Sequence, residues 1–234
     1  MAIDDKFELL SIGDLNVTGR LVDASNATLY ATATHGDQSI TCIYKPIAGE
    51  RPLWDFPDGA LAYREYAAFL ISNILGFNLV PLTILRDGPY GFGMVQEWID
   101  IDESIDLGTF FSSDNPMLRS MALFDAIINN TDRKIGHLLP TPAGELFGCD
   151  HGVTFHSENK LRTVLWQWAG DPLTKDEIQI LERARQSIVQ EIDLSPYLTT
   201  TELNALSLRI DTLISNGAMP TPNPDWPAVP WPAF

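Results

Sequence analysis

The feature that most constrains this chain lies between residues 130 and 152, where two aspartates stand in separate polar turns. The first turn reads Asn130-Thr131-Asp132-Arg133 and the second reads Asp150-His151-Gly152. Phosphoryl transfer requires such a pair, because one carboxylate orients and deprotonates the attacking hydroxyl while another holds a metal that bridges the phosphates. Aspartate is also common in turns for local backbone reasons, so either turn alone would favour a structural role. The order and spacing of both turns favour phosphoryl transfer.

Short β-rich runs precede these turns. Residues 18–23, 28–34 and 39–45 alternate partly between apolar and polar side chains, which predicts an antiparallel meander. Residues 60–75 carry apolar side chains at helical spacing and are followed by Gly76, a natural helix terminator. Residues 79–86 and 93–99 are predicted to be two further strands.

A lysine and a glutamate stand at informative places in these elements. Lys45 ends the third predicted strand, and Glu65 lies early in the predicted helix. A lysine at a strand end is usually only solvated, but a strand lysine paired with a helix glutamate is what kinases use to hold the α- and β-phosphates. The last predicted strand then leads into residues 96–99, where the backbone can pair with adenine.

Taken in order, these motifs resemble the phosphatidylinositol 3-/4-kinase-like superfamily, which includes atypical protein kinases of the HipA type. They are most similar to a small actinobacterial branch, and the resemblance covers roughly residues 14–170. Besides the two aspartate turns, the motifs that carry it are Tyr44-Lys45-Pro46, Gly49-Glu50-Arg51-Pro52, Arg64-Glu65-Tyr66-Ala67-Ala68 and Met94-Val95-Gln96-Glu97.

The resemblance implies an α+β, two-lobed kinase-like fold. Residues 1–99 are expected to form an N-terminal nucleotide-binding lobe, with an antiparallel sheet and a helix. Residues 100–219 are expected to form a helical C-terminal lobe that carries the catalytic and metal loops. Residues 220–234 form a tail rich in proline and tryptophan, expected to pack along the protein's own surface rather than bind a partner.

The resemblance also implies roles for single residues. Lys45 would contact phosphate and pair with Glu65, Asp132 would be the catalytic base, and Asp150 would bind the metal. The cofactors would be ATP and Mg²⁺ or Mn²⁺. Six further residues are expected to contact the nucleotide, from the turn over the phosphates and from the hinge: Ser25, Asn26, Gln96, Glu97, Trp98 and Ile99.

His137 is the main departure from the family pattern. It stands five residues after Asp132, where kinases have a metal-binding asparagine. Two interpretations stay open: His137 is a second metal ligand, or it only hydrogen-bonds the catalytic loop. A metal-hydrolase cluster of His137, Asp150, His151 and His156 is a weaker alternative, because no ligand pair at helical i, i+4 spacing supports it.

Charge narrows the choice of partner. The formal net charge of −16 argues against nucleic acid and against anionic membranes, which attract Lys- and Arg-rich surfaces. With nucleic acid and membranes disfavoured, the resemblance implies phosphoryl transfer from ATP to a hydroxyl of a protein or small cytosolic molecule. The alternative is a pseudokinase that binds nucleotide and regulates a partner. Asp132 and Asp150 favour the enzyme, whereas His137 and the short segment after Asp150 favour the pseudokinase. The sequence leaves the oligomeric state open.

The remaining features concern location and the second half of the chain. The chain starts without a secretory signal and has only Cys42 and Cys149, which predicts free thiols in a reducing cytoplasm. Residues 118–128 are predicted to be a buried helix whose Asp125 hydrogen-bonds the loop that follows. Two capping boxes, Thr174 with Glu177 and Thr199 with Glu202, predict the starts of two more helices.

Overall fold

A computed structural model describes residues 3–21, 26–57 and 60–234 of the chain. Its first half is an antiparallel sheet with two helices packed on it. In chain order these elements are α1 (Ile3–Ile12), β1 (Asp14–Arg20), β2 (Leu29–His35), β3 (Gln38–Pro46), α2 (Leu61–Ile74), β4 (Thr83–Gly88) and β5 (Gly91–Glu97). The five strands pair in the order β1-β2-β3-β5-β4. Helices α1 and α2 both pack against this sheet.

The sheet differs from the predicted one at three places. Strand β1 starts at Asp14 because half-buried Leu15 and Val17 already alternate along its inner face. Residues 79–82 are not a strand, since the N–H groups of Leu79 and Val80 donate to the Ser72 hydroxyl. Strand β5 ends at Glu97 rather than at residue 99. Helix α1 was not predicted at all; its Leu9 and Leu10 are buried.

Strands β3 and β5 approach each other closely beside Lys45. Register pairs Lys45 with Met94 and Pro46 with Gly93, so the proline lies inside the ladder rather than after it. A Cβ on Gly93 would lie 2.3 Å from the Lys45 carbonyl oxygen. Glycine at this position therefore lets the two backbones meet where β3 delivers Lys45.

Helices are the main regular elements of the second half, as predicted, although irregular segments make up more of its residues. It contains α3 (Leu107–Phe110), α4 (Pro116–Ile128), a small hairpin of β6 (Leu138–Pro140) and β7 (Leu146–Gly148), α5 (Lys175–Gln190) and α6 (Thr200–Asn216). Asn115 caps α4 with Pro116 following it, and both predicted capping boxes form, at Thr174 and Thr199. In the part of the chain described here, no helix has the length and apolar character needed to cross a membrane.

Two sets of long-range contacts join elements that are distant in sequence: an ion pair between α2 and α6, and hydrogen bonds from the tail. Arg64 on α2 is 1 % exposed and pairs with Glu202, the residue of α6 that also completes the Thr199 capping box. The tail runs back along the helical half, where the Ala228 carbonyl accepts from Thr163 N at 3.0 Å and the Ala233 carbonyl from Ile135 N at 2.9 Å. The tail therefore packs on the protein's own surface, as predicted.

Candidate active site

Lys45 lies between two carboxylates at the centre of the site. Its Nζ is 2.6 Å from Glu65 Oε1 and 2.8 Å from Asp150 Oδ1. Burial by itself would lower the pKa of Lys45, but the two carboxylates raise that pKa above its ordinary value. Lys45 likewise holds the pKa of Asp150 well below its usual range. Lys45 is therefore positively charged and Asp150 negatively charged at neutral pH.

Glu65 is positioned from both sides. The backbone N–H of His151 donates to its Oε2 at 2.8 Å, which ties α2 to the second aspartate turn. The preceding residue, Arg64, is anchored to Glu202 and also donates to the Thr154 carbonyl at 3.1 Å. At the start of α2, the Glu50 carboxylate accepts from the N–H groups of Leu61 and Ala62, as a helix cap. These contacts fix the position of α2 so that the Glu65 side chain reaches Lys45.

Asp132 lies in a turn built by its own neighbours. The Asn130 side-chain oxygen accepts from Asp132 N at 2.9 Å. Lys134 Nζ and Arg162 Nη2 each lie 3.5 Å from one oxygen of the Asp132 carboxylate. Burial raises the pKa of Asp132 while these cations oppose the rise. A carboxylate of raised pKa beside a cleft is suited to accept a proton.

A buried ion pair supports both aspartate turns. The Arg133 guanidinium contacts both oxygens of Asp125 on α4, at 3.0 Å for Nε–Oδ2 and 2.9 Å for Nη2–Oδ1, and both side chains are 0 % exposed. Asn130 Nδ2 also donates to Asp125, so the prediction that Asp125 bonds the following loop is confirmed. Arg133 then reaches the Cys149 carbonyl at 3.0 Å, directly before Asp150.

The tautomer of His151 follows from the same arginine. Arg133 Nη2 lies 2.7 Å from His151 Nε2, and arginine can only donate, so Nε2 accepts and Nδ1 carries the proton. That Nδ1 has no hydrogen-bond partner among the described residues and lies 3.9 Å from Glu65 Oε2. Burial and the Arg133 charge hold the pKa of His151 well below its ordinary value, so the ring stays neutral.

Asp150 itself has an unusual backbone. Its φ is +61°, in the left-handed region that few residues other than glycine adopt. Such a conformation persists only where the surroundings enforce it, and it is concentrated at functional sites. Its side chain is 45 % exposed, so the Asp150 carboxylate is accessible from the cleft.

His137 contacts both aspartate turns. Its Nε2 is 3.5 Å from Asp150 Oδ2, and its Nδ1 accepts from Lys134 N at 3.4 Å. Burial lowers the pKa of His137 to about 4, so the imidazole is neutral at physiological pH. Because Nδ1 accepts, the ring proton lies on Nε2 and faces Asp150. This tautomer matches the hydrogen-bonding interpretation, and metal binding through Nε2 would require the other tautomer.

Two cavities meet at this cluster. The larger, about 770 Å³, reaches from Lys45 and Asp150 to residues 96–101 and has apolar walls that include Leu21, Ile43 and Leu139. The smaller, about 440 Å³, opens on the other side, between residues 51–56 and the tail. Lys45, Asp132, Lys134 and Asp150 line both cavities.

The expected nucleotide-binding residues are not all equivalent. Gln96, Glu97, Trp98 and Ile99 all line the larger cavity. The N–H groups of Glu97 and Trp98 already donate to the Leu82 and Thr41 carbonyls, so neither can donate to adenine. Asn26 lines the smaller cavity and its side-chain oxygen accepts from Arg51 N, whereas Ser25 lies outside the described residues.

Comparison with known proteins identifies a relative. Protein Rv2133c of Mycobacterium tuberculosis is 41% identical over an alignment of 268 positions, gaps included, which spans 99% of this chain and 96% of that protein. The chain belongs to the Rv2133c family. No family model matches it.

Solved structures establish the fold of this Rv2133c-family protein. The Golgi casein kinase superposes with a TM-score of 0.56 at 13% identity, covering 92% of this chain and 74% of the kinase. The same kinase with Mn and ADP bound gives a TM-score of 0.56 at 14% identity, covering 92% and 75%. The predicted α+β kinase-like fold is thereby confirmed, while the proposed lobe boundaries stay a prediction.

The histidines of the Rv2133c-family chain do not gather into a hydrolase site. His151 is fully buried, and His156 packs edge-on against Phe56. Across residues 3–21, 26–57 and 60–234, no group of three or more His, Cys, Asp or Glu side chains has the geometry of a metal cluster. At the cleft, Asp150 would offer an oxygen ligand, and His137 would offer a nitrogen ligand in the tautomer that is protonated on Nδ1. A nucleotide's phosphates would add further oxygens, and such a set suits Mg²⁺ or Mn²⁺.

The sequence did not reveal the supporting residues of this Rv2133c-family site. The sequence assigned no role to Arg133 or Arg162, yet the first ties the turns together and the second lies beside Asp132. Glu202 was assigned only to its capping box, although it also anchors Arg64. The one sequence feature that could have indicated this contact is the position of Arg133 directly after Asp132.

Proposed function

We propose that this protein is an ATP-dependent phosphotransferase of the phosphatidylinositol 3-/4-kinase-like superfamily, related to the HipA type, that acts on a hydroxyl of a cytosolic acceptor. The observation that carries the proposal is the position of Lys45, paired with both Glu65 and Asp150 within a cleft that also contains Asp132. This arrangement combines a phosphate-binding cation, a metal-binding carboxylate and a base.

Each residue then has a defined task. The nucleotide occupies the larger cavity, with its base near residues 96–101 and its phosphates at Lys45. Asp132 accepts the proton of the acceptor hydroxyl, and Arg162 and Lys134 hold its carboxylate in place. Asp150 and His137 would hold the divalent metal, which supplies charge neutralisation on the phosphates.

A nucleotide-binding regulator without turnover is the second candidate. The observation that favours it is that Lys134 and Arg162 both lie 3.5 Å from Asp132, so this carboxylate is already neutralised by protein groups. The raised pKa of Asp132 favours the enzyme instead, because a base of higher pKa accepts a proton more readily.

Thermal melting with and without ATP plus Mg²⁺ or Mn²⁺ tests the nucleotide site. At a ligand concentration a hundredfold above Kd, binding stabilises the folded protein by about 2.7 kcal/mol. Lys45→Ala should remove most of this gain, whereas Lys175→Ala, on the exposed start of α5, should retain it. An unchanged wild-type melting curve at millimolar ATP with each metal would refute the nucleotide site.

Asp132→Asn separates the two candidates. The variant should bind nucleotide like wild type but transfer phosphate about 10²–10⁴-fold more slowly, as expected for loss of a positioned base. Phosphate transfer is followed with γ-labelled ATP and cell extract. Binding without transfer in wild type would favour the regulator, and equal transfer by both proteins would remove Asp132 from the role of base.

A further inference from the structure

The smaller cavity adjoins the reacting groups from the side opposite the nucleotide. It shares Lys45, Asp132, Lys134 and Asp150 with the larger cavity, so a molecule inside it would meet both the base and the phosphate site. If the nucleotide fills the larger cavity, the smaller one is the space left for the acceptor hydroxyl. We refer to it as the acceptor cavity.

Aromatic side chains form the outer walls of the acceptor cavity. Trp54 and Phe56 come from the segment after β3, and Trp226 and Trp231 come from the tail. Trp54 is 86 % exposed and Trp231 is 92 % exposed, so neither is a core residue. Large exposed aromatic rings around a concave site offer flat apolar faces for a ligand.

A buried lysine fastens the two walls to each other. Lys160 Nζ lies 4.7 Å from the Trp54 ring centroid and 5.1 Å from that of Trp226, and it pairs with Asp55 at 2.9 Å. Lys160 itself is only 4 % exposed. Lys160 therefore holds Trp54 of one wall and Trp226 of the other close to each other.

Size and shape together select the acceptor. A volume of about 440 Å³ lies in the range of small-molecule sites, whereas docking of a protein requires a surface of roughly 800 Å² on each partner. We propose that the acceptor is a small hydroxylated ring compound, such as a sugar or another cyclic alcohol, whose apolar face stacks on Trp231. This inference rests on the proposed phosphotransferase function, and it makes Trp231 a specificity-determining residue.

The test uses the purified full-length protein, γ-labelled ATP with Mn²⁺ or Mg²⁺, and cell extract divided by ultrafiltration at about 1 kDa. Label should pass to a compound in the low-mass fraction, resolved from ATP by anion-exchange chromatography. Trp231→Ala should lower the labelling rate at limiting extract by about tenfold, since an aromatic contact contributes up to about 1.5 kcal/mol. Trp231→Phe, which keeps an aromatic face, should recover most of that rate.

Two controls isolate the wall from the rest of the protein. Val229→Ala changes the same tail at an exposed side chain outside the cavity and should label like wild type. The shift in melting temperature caused by ATP should be equal in all four proteins, because Trp231 does not line the nucleotide cavity.

The outcomes are distinct. Label on polypeptides in the high-mass fraction would overturn the small-molecule acceptor while leaving the phosphotransferase function standing. Low-mass labelling at equal rates in wild type and Trp231→Ala would overturn the stacking role. No label in either fraction, despite stabilisation by ATP, would refute the phosphotransferase function and this inference with it.

Discussion

Replacing Asp125 with asparagine should destabilise the protein strongly, although Asp125 lies on α4 and lines neither of the two cavities of the cleft. The substitution preserves the shape of the side chain but leaves the Arg133 guanidinium buried without a counter-charge. Both side chains are 0 % exposed, so water cannot take the place of the carboxylate. Removing one partner of such a buried pair typically costs about 3–5 kcal/mol.

The assay is urea denaturation, supported by thermal melting. For a chain of this size each kcal/mol lowers Tm by about 2–4 °C, so Asp125→Asn should lower Tm by roughly 6–20 °C. Asp211→Asn is the matched control, because Asp211 pairs with Arg185 at 3.1 Å on the surface. The Arg185 side chain is 65% exposed and the Asp211 side chain is 48% exposed. An exposed pair of this kind contributes about 0–1 kcal/mol.

A double-mutant cycle identifies the cause of the loss. Arg133→Met in the Asp125→Asn background should cost less than the sum of the single changes, because the unpaired charge is then gone. Loss of less than about 1 kcal/mol in Asp125→Asn, or strict additivity in the cycle, would contradict the idea that this pair holds the two aspartate turns together.

Two further outcomes are expected. Burial raises the pKa of Cys42 to about 11 and that of Cys149 to about 12. Neither thiol should therefore react rapidly with Ellman's reagent at pH 8, whereas both should react in guanidinium chloride. Fast reaction of a thiol in the folded protein would contradict this expectation. If His137 is a metal ligand, His137→Asn should lower the ratio of activity with Mn²⁺ to activity with Mg²⁺, since imidazole suits transition metals better than Mg²⁺. An unchanged ratio would show that His137 does not bind the metal and only hydrogen-bonds the catalytic turn.

Features encoded by neighbouring residues were predictable. The side chains of Asn115, Thr174 and Thr199 cap helix starts. Each accepts a hydrogen bond from a backbone N–H only two or three residues further along the chain. The free state of both cysteines also followed from the sequence and is confirmed. The resemblance went further, because it implied the pairing of Lys45 with Glu65, which lie 20 positions apart on different elements.

Features that depend on tertiary contacts were not predictable. Helix α1 carries several charged residues and little periodicity, and it is helical because Leu9 and Leu10 pack under the sheet. Arg64 and Glu202 are 138 positions apart, so no local pattern announces their pairing. One wall of the smaller cavity depends on where the tail returns, which the composition of the tail does not specify.

The anchoring of Arg64 to Glu202 has a consequence for control of the protein. Arg64 and Glu65 are adjacent on α2, so any outward swing that parts Glu65 from Lys45 must also strip a buried guanidinium of its partner. At about 3 kcal/mol or more, such a displaced state would be populated in fewer than about 1 molecule in 100. In the proposed phosphotransferase, α2 would therefore have no separate inactive position, and the reaction rate would depend on how much nucleotide and acceptor are present.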